Sequence, residues 1–154
     1  MENAHGREAE AGGSVSRFVV LDIPAPLIGV VKPAVKWMSS NDRPHPMAKA
    51  KLTAAWRAAG LQAVIAERRR RTADWDDVLL TFGGHVRVQA HVWKPVKNRY
   101  DPGNFYPTAK AVLDGIVESG LLVDDDWKHV AGPDMRHGGI GPARLVMTIE
   151  EENN

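Results

Sequence analysis

The stretch YDPGNFYPTAKAVLDGIVESGLLVDDD, residues 100–126, decides the fold. Ala109, Val112, Leu113, Ile116 and Val117 recur at helical spacing and make one apolar stripe. Pro107 belongs in the first turn of that helix, where a missing amide proton costs little. Gly120 is a natural stop, with Leu121 placed for the hydrophobic contact behind it. Lys110 and Asp114 share a neighbouring stripe at the edge of the apolar one. The helix is bracketed by a turn carrying Asp101 and Asn104 and by three consecutive carboxylates, Asp124, Asp125 and Asp126.

Upstream, HVRVQAHVW (85–93) alternates, with Val86, Val88, Ala90 and Val92 on one face, and predicts a half-buried strand. KPVKNRY then brings Lys94, Lys97 and Arg99 up to Asp101. Residues 72–84 are polar, and Asp74, Asp76 and Asp77 around Trp75 read as a solvated loop. From Met47 the pattern is helical through Leu52, Ala55, Trp56 and Ala59, and again at Ala63 and Val64. Gly60 argues against one unbroken helix. The segment ends in Arg68, Arg69, Arg70 and Arg71, which complement a helix C-terminal dipole or contact phosphates. Residues 17–23 (RFVVLDI) predict the first strand, 25–37 an extended or irregular connection, and 39–46 (SSNDRPHP) a loop.

Downstream, WKHVAGP starts a strand that takes in His129, MRHGGIGP reads as a glycine-rich turn, and ARLVMTIEE is a last alternating strand. The order β-α-β-α-β-β predicts a single α+β domain with a small mixed sheet and two main helices, over residues 17–150. Residues 1–16 read as a flexible tail without the basic start or apolar run of a signal peptide. Residues 151–154 read as an acidic tail.

Composition narrows the function. A chain of 154 residues, 44% hydrophobic and 25% charged, suits one globular domain. The absence of cysteine excludes disulfides and thiolate metal sites and suits a reducing, cytoplasmic setting. No apolar run is long enough to span a bilayer. The net charge of +1 is unevenly spread, because six of the acids lie near the two ends. Residues 11–149 hold 19 basic and 13 acidic side chains, a balance compatible with a polyanionic partner. There is no phosphate-cradling P-loop, no dinucleotide fingerprint and no zinc-type histidine spacing.

What remains is a supply of hard oxygens at both ends of one helix, the kind Mg²⁺ takes together with phosphate oxygens. A lysine between them would offset charge developing on a phosphate. The bland alternative is an i,i+4 surface pair beside a solvated acidic loop. Three adjacent acids repel one another unless solvent or a cation relieves them, which favours the functional account. The residues therefore predict a metal-dependent phosphodiesterase acting on nucleic acid.

Asp101-x-x-Asn104, Lys110-x-x-x-Asp114, Gly120 and Asp124-Asp125 together resemble the signature of RusA-type Holliday junction resolvases, roughly D-x-D-N-x-x-K-x-x-x-D with a glycine and a D-D pair following. Ser40-Asn41-x-Arg43 is similar to an early element of that family, and the expected fold is RusA-like. The resemblance implies Mg²⁺ (or Mn²⁺) on Asp101 and Asp125, with Asp124 and Asn104 adjoining, and an essential Lys110. Asp101, Lys110 and Asp125 would be the catalytic residues. It also implies a homodimer on branched DNA in recombination and repair, and suits a phage or prophage origin. Lys94, Lys97, Arg99, Asn41, Arg43, Arg69 and Arg70 would position the DNA. Two departures stand out: Gly103 replaces the second acid of D-x-D, and three extra residues separate Asn104 from Lys110. Asn104, Asp114 and Asp126 are the candidates for the missing oxygen. The alternative is a non-catalytic DNA-binding module that has lost a metal ligand at Gly103.

Overall fold

The computed structural model describes residues 8–11, 14–73 and 80–153. Strand β1 (Glu8–Ala11) leads into β2 (Ser14–Pro24), a short ribbon β3 (Leu27–Ile28) and β4 (Ala34–Val35), and helix α1 (Pro46–Ala73). Strand β5 (Val86–Lys94) follows, then a 3₁₀ turn (Pro102–Phe105), helix α2 (Tyr106–Glu118) and strands β6 (Val130–Ile140) and β7 (Arg144–Glu151). The main sheet has the order β1-β2-β7-β5-β6. Among the described residues only β5 and β6 run parallel in it, and the other strand pairs are antiparallel. A parallel pair cannot be joined by a hairpin and needs a crossover. Residues 100–126 supply it, which is why that stretch sets the topology. Apart from β1 and the small ribbon, the expected order of two helices and four strands is the one found, in a single α+β domain with a mixed sheet.

Alternation decides which face of the sheet is covered. Val19, Leu21 and Ile23 of β2, Val86, Val88, Ala90 and Val92 of β5, and Leu145, Met147 and Ile149 of β7 are all buried. They share a core with Trp56 and Val64 of α1 and Val112, Leu113 and Ile116 of α2, so both helices lie on that face. Each such aliphatic side chain contributes about 1.5–3 kcal/mol on burial. Among the described residues, no helix is long and apolar enough to cross a membrane.

Four expectations change. Helix α1 is continuous through Gly60, because the glycine is needed by a neighbour and is not a break. A methyl carbon on Gly60 would meet the Val112 carbonyl oxygen at 2.4 Å, and one on Gly115 would meet the Arg57 carbonyl oxygen at 2.0 Å. The two helices cross where each has no side chain. The glycines of residues 135–140 lie within β6 and do not form a turn. They leave room for the indole of Trp93, which a methyl carbon on Gly138 would approach to 2.4 Å and one on Gly139 to 2.6 Å. Glu8–Ala11 of the expected tail pairs with β2, and strand β7 runs on to Glu151. The next residue, Glu152, takes Arg87 at 2.8 Å and His85 at 3.2 Å. The loop carrying Asp74, Asp76 and Asp77 lies outside the described residues.

Candidate functional site

The crossover carries the candidate chemistry at both ends. Asp101 closes the 3₁₀ turn: its carboxylate accepts the Gly103 amide at 2.9 Å, and its carbonyl accepts the Asn104 amide at 3.0 Å. Gly103 itself is exposed. The loop before α1 docks on this turn, where the Ser40 amide donates to the Asn104 carbonyl at 2.8 Å. The buried Thr108 hydroxyl accepts from the Met38 amide and donates to the Met38 carbonyl, both at 2.8 Å. Arg43 closes the loop on the carbonyls of Ser40 and Asp42, each at 3.0 Å, and Asn41 is exposed. A cleft of about 720 Å³ opens there, lined by Ser39, Ser40, Arg43, Lys49 and Pro107 among others. The two sequence-distant elements, around Asn41 and around Asn104, therefore meet.

At the other end, α2 stops at Gly120 in the left-handed region, with φ of +83°. The chain then turns back along the helix far enough for Asp125 to reach Lys110. The Lys110 ammonium donates to Asp114 at 2.7 Å and to Asp125 in a second, short contact. Burial works against the ammonium, but the hydrogen bonds and charges of Asp114 and Asp125 outweigh it and raise the Lys110 pKa above its ordinary value. The Lys110 hydrogen bond holds the Asp125 carboxyl below the usual carboxylate range, against the opposing effect of burial. Asp124 accepts the Asp125 amide at 2.7 Å. Asp126 takes the His129 ring at 2.5 Å, and that hydrogen bond lowers its pKa. His129 therefore stands just ahead of β6 and faces Asp126.

The basic residues divide. Lys97 and Arg99 are exposed and line a cleft of about 270 Å³ with Tyr100 and His137. Lys94 has turned inward, its ammonium 4.7 Å from the Tyr100 ring centre and 4.5 Å from that of Phe105. Arg68 donates to the Ser119 carbonyl at 2.7 Å and the Leu80 carbonyl at 3.1 Å, tying the end of α2 to α1. Arg70 and the buried Arg71 pair with Glu67 at 2.9 and 3.1 Å, while Arg69 is exposed. Tyr100 and His137, hydrogen bonded at 2.5 Å beside the site, were not singled out from the sequence. The turn reading of residues 135–142 hid His137, and nothing local marks Tyr100 as its partner.

The donors are hard oxygens, as a divalent cation of the Mg²⁺ class prefers. Among the described residues no group of three or more histidine, aspartate or glutamate side chains converges as a metal cage. No protein-family model matches this chain, and a search of curated proteins finds no relative.

Proposed function

We propose that this protein is a Mg²⁺-dependent, structure-selective endodeoxyribonuclease of the RusA type, resolving four-way DNA junctions by paired nicks. The observation that carries the reading is Lys110, whose ammonium is shared by Asp114 and Asp125. It joins the helix motif to the acidic motif of the loop that follows the helix. Asp101 and Asp125 would hold the metal, with Asp124 and Asn104 adjoining. Bound there, the ion would supply Lewis acidity and an activated water. Lys110, kept charged by its two carboxylates, would offset charge on the phosphate. Lys97, Arg99, Asn41, Arg43 and Arg69 are exposed and would position the DNA backbone. A homodimer would present two equivalent sites to a two-fold symmetric junction.

The test is a labelled four-way junction incubated with Mg²⁺ or with EDTA, using the wild-type protein and Asp125→Asn. Symmetric nicks that need the metal and vanish in the variant are expected. Junction binding without cleavage under any divalent ion would instead establish the second reading, a non-catalytic junction-binding module. Gly103 favours that second reading, since it leaves Asp101 as the lone acid of its turn.

A further inference from the structure

We propose that Trp127 is a stacking platform for an unpaired nucleobase next to the Lys110–Asp125 pair, an inference that rests on the nuclease reading above. Trp127 is 80% exposed, although few side chains gain more from burial than an indole. Its backbone is held. Asp126 closes the turn around it, its carboxylate accepting the Lys128 amide at 3.2 Å and the His129 ring at 2.5 Å. The Asp126 carbonyl accepts the amides of His129 and Val130 at 3.0 and 2.9 Å, and β6 begins at once. The turn therefore presents the indole from a braced position two residues beyond Asp125.

The surroundings select the ligand. The Lys128 ammonium lies over one face of the indole, 5.8 Å from its ring centre, which leaves the opposite face for a base. An aromatic face with a cation beside it is the pair of groups that single-stranded nucleic acid uses, the base stacking on the ring and the phosphate meeting the charge. A base inside a duplex is stacked on both faces and has none to offer. A base at a branch point or in a single strand does. Asp124, Asp125 and Asp126 precede Trp127 in the chain and repel phosphate, so the uncharged base is the part of a nucleic acid that the indole takes, with Lys128 left for the backbone.

The experiment compares wild type, Trp127→Ala and Trp127→Phe on a four-way junction carrying 2-aminopurine at the branch point and on a linear duplex. EDTA is present throughout, so no strand is cut. Trp127→Ala is expected to bind the junction roughly 5- to 150-fold more weakly and to lose the 2-aminopurine quenching. Trp127→Phe should keep most of both, and all three proteins should bind the duplex alike. Undiminished junction binding and quenching by Trp127→Ala would overturn the proposal. So would an equal loss on duplex, or a change of oligomeric state in that variant. Wild type that binds no DNA would overturn the nuclease reading and this inference with it. Quenching that depends on Trp127, in a protein that cuts no junction with Mg²⁺, would sink the nuclease reading and leave the stacking role standing.

Discussion

Lys110, in the N-terminal half of helix α2, pairs with Asp125 of the loop that follows the helix and returns along it, so a helix residue and a loop residue share one charge interaction. Asp114 takes the same ammonium from within the helix. The pairing does more than decorate a helix surface, because it sets how the loop with Asp124 to Asp126 lies against α2.

Its pH dependence has a definite sign. The Asp125 pKa is lowered on folding, so the ionised pair favours the folded state above the unfolded value of about 3.9. That contribution disappears as pH falls through the folded pKa. Lys110 is raised, so its share is complete below about 10.4 and fades as pH rises through its folded pKa. Wild type should exceed Asp125→Asn in unfolding free energy by about 1 kcal/mol at neutral pH, solvent screening being substantial. The two proteins should converge in acid. Urea titrations at a series of pH values check this, and a gap that persists unchanged into acid would refute it.

At the helix crossing, Gly115→Ala forces a methyl group toward the Arg57 carbonyl oxygen, 2.0 Å away before any relaxation. Overpacking of this kind costs about 1–3 kcal/mol. Gly60→Ala meets the Val112 carbonyl oxygen and should behave alike. Gly84→Ala, with nothing within 4 Å, serves as the control and should leave thermal stability nearly unchanged. Equal melting temperatures for the three variants would show that the helices do not need the close approach.

Thr108→Val removes a hydroxyl that both accepts from and donates to Met38 in a buried setting. Leaving those two backbone groups unpaired should cost about 1–3 kcal/mol. Hydrogen exchange at the Met38 and Ser40 amides should quicken more than at amides of β5. Uniform quickening throughout the protein would mean that the loop is not separately anchored by Thr108.

Gly103→Asp restores the second acid of the turn. A methyl carbon there would lie 3.2 Å from the Asp101 carboxylate, so Asp101 must give by a few tenths of an ångström, which an exposed side chain can do. Without a divalent ion the two acids repel, and the variant should be slightly less stable than wild type. With Mg²⁺ that order should reverse, and junction cleavage should rise. A thermal shift unaffected by Mg²⁺ in both proteins would argue against metal binding at this turn.

Local pattern carried much of the fold. The alternation of residues 85–93 and the apolar stripe from Ala109 to Ile116 are each written in one short segment, and each is buried as expected. The pairing of Lys110 with Asp114 was legible from their spacing of four, whereas the second contact of the same ammonium, with Asp125, depends on how the loop after Gly120 returns along the helix. Meaning that belongs to a distant partner was not legible. Gly60 looks like a weak point until Val112 of the other helix is in place, and Gly138 and Gly139 look like a turn until Trp93 lies against them. The rings that the Lys94 ammonium lies against, Tyr100 and Phe105, come later in the chain, so that contact was not legible from KPVKNRY either. Arg68 was one of four similar arginines until the carbonyls of Leu80 and Ser119 separated it from the others.

The glycine-to-glycine crossing also limits how modular the chemistry is. Residues 100–126 hold Asp101, Lys110, Asp114 and Asp125 in a single contiguous piece, which makes them look transplantable. Yet α2 rests on α1 at a separation that only Gly60 and Gly115 permit, and the 3₁₀ turn is fastened to the segment leading into α1 through Ser40 and Asn104. A peptide of the crossover alone, or a graft onto a host helix bearing ordinary side chains at the crossing, would lose that seat. The unit that a protein engineer could move is the helix pair with its preceding loop, not the motif.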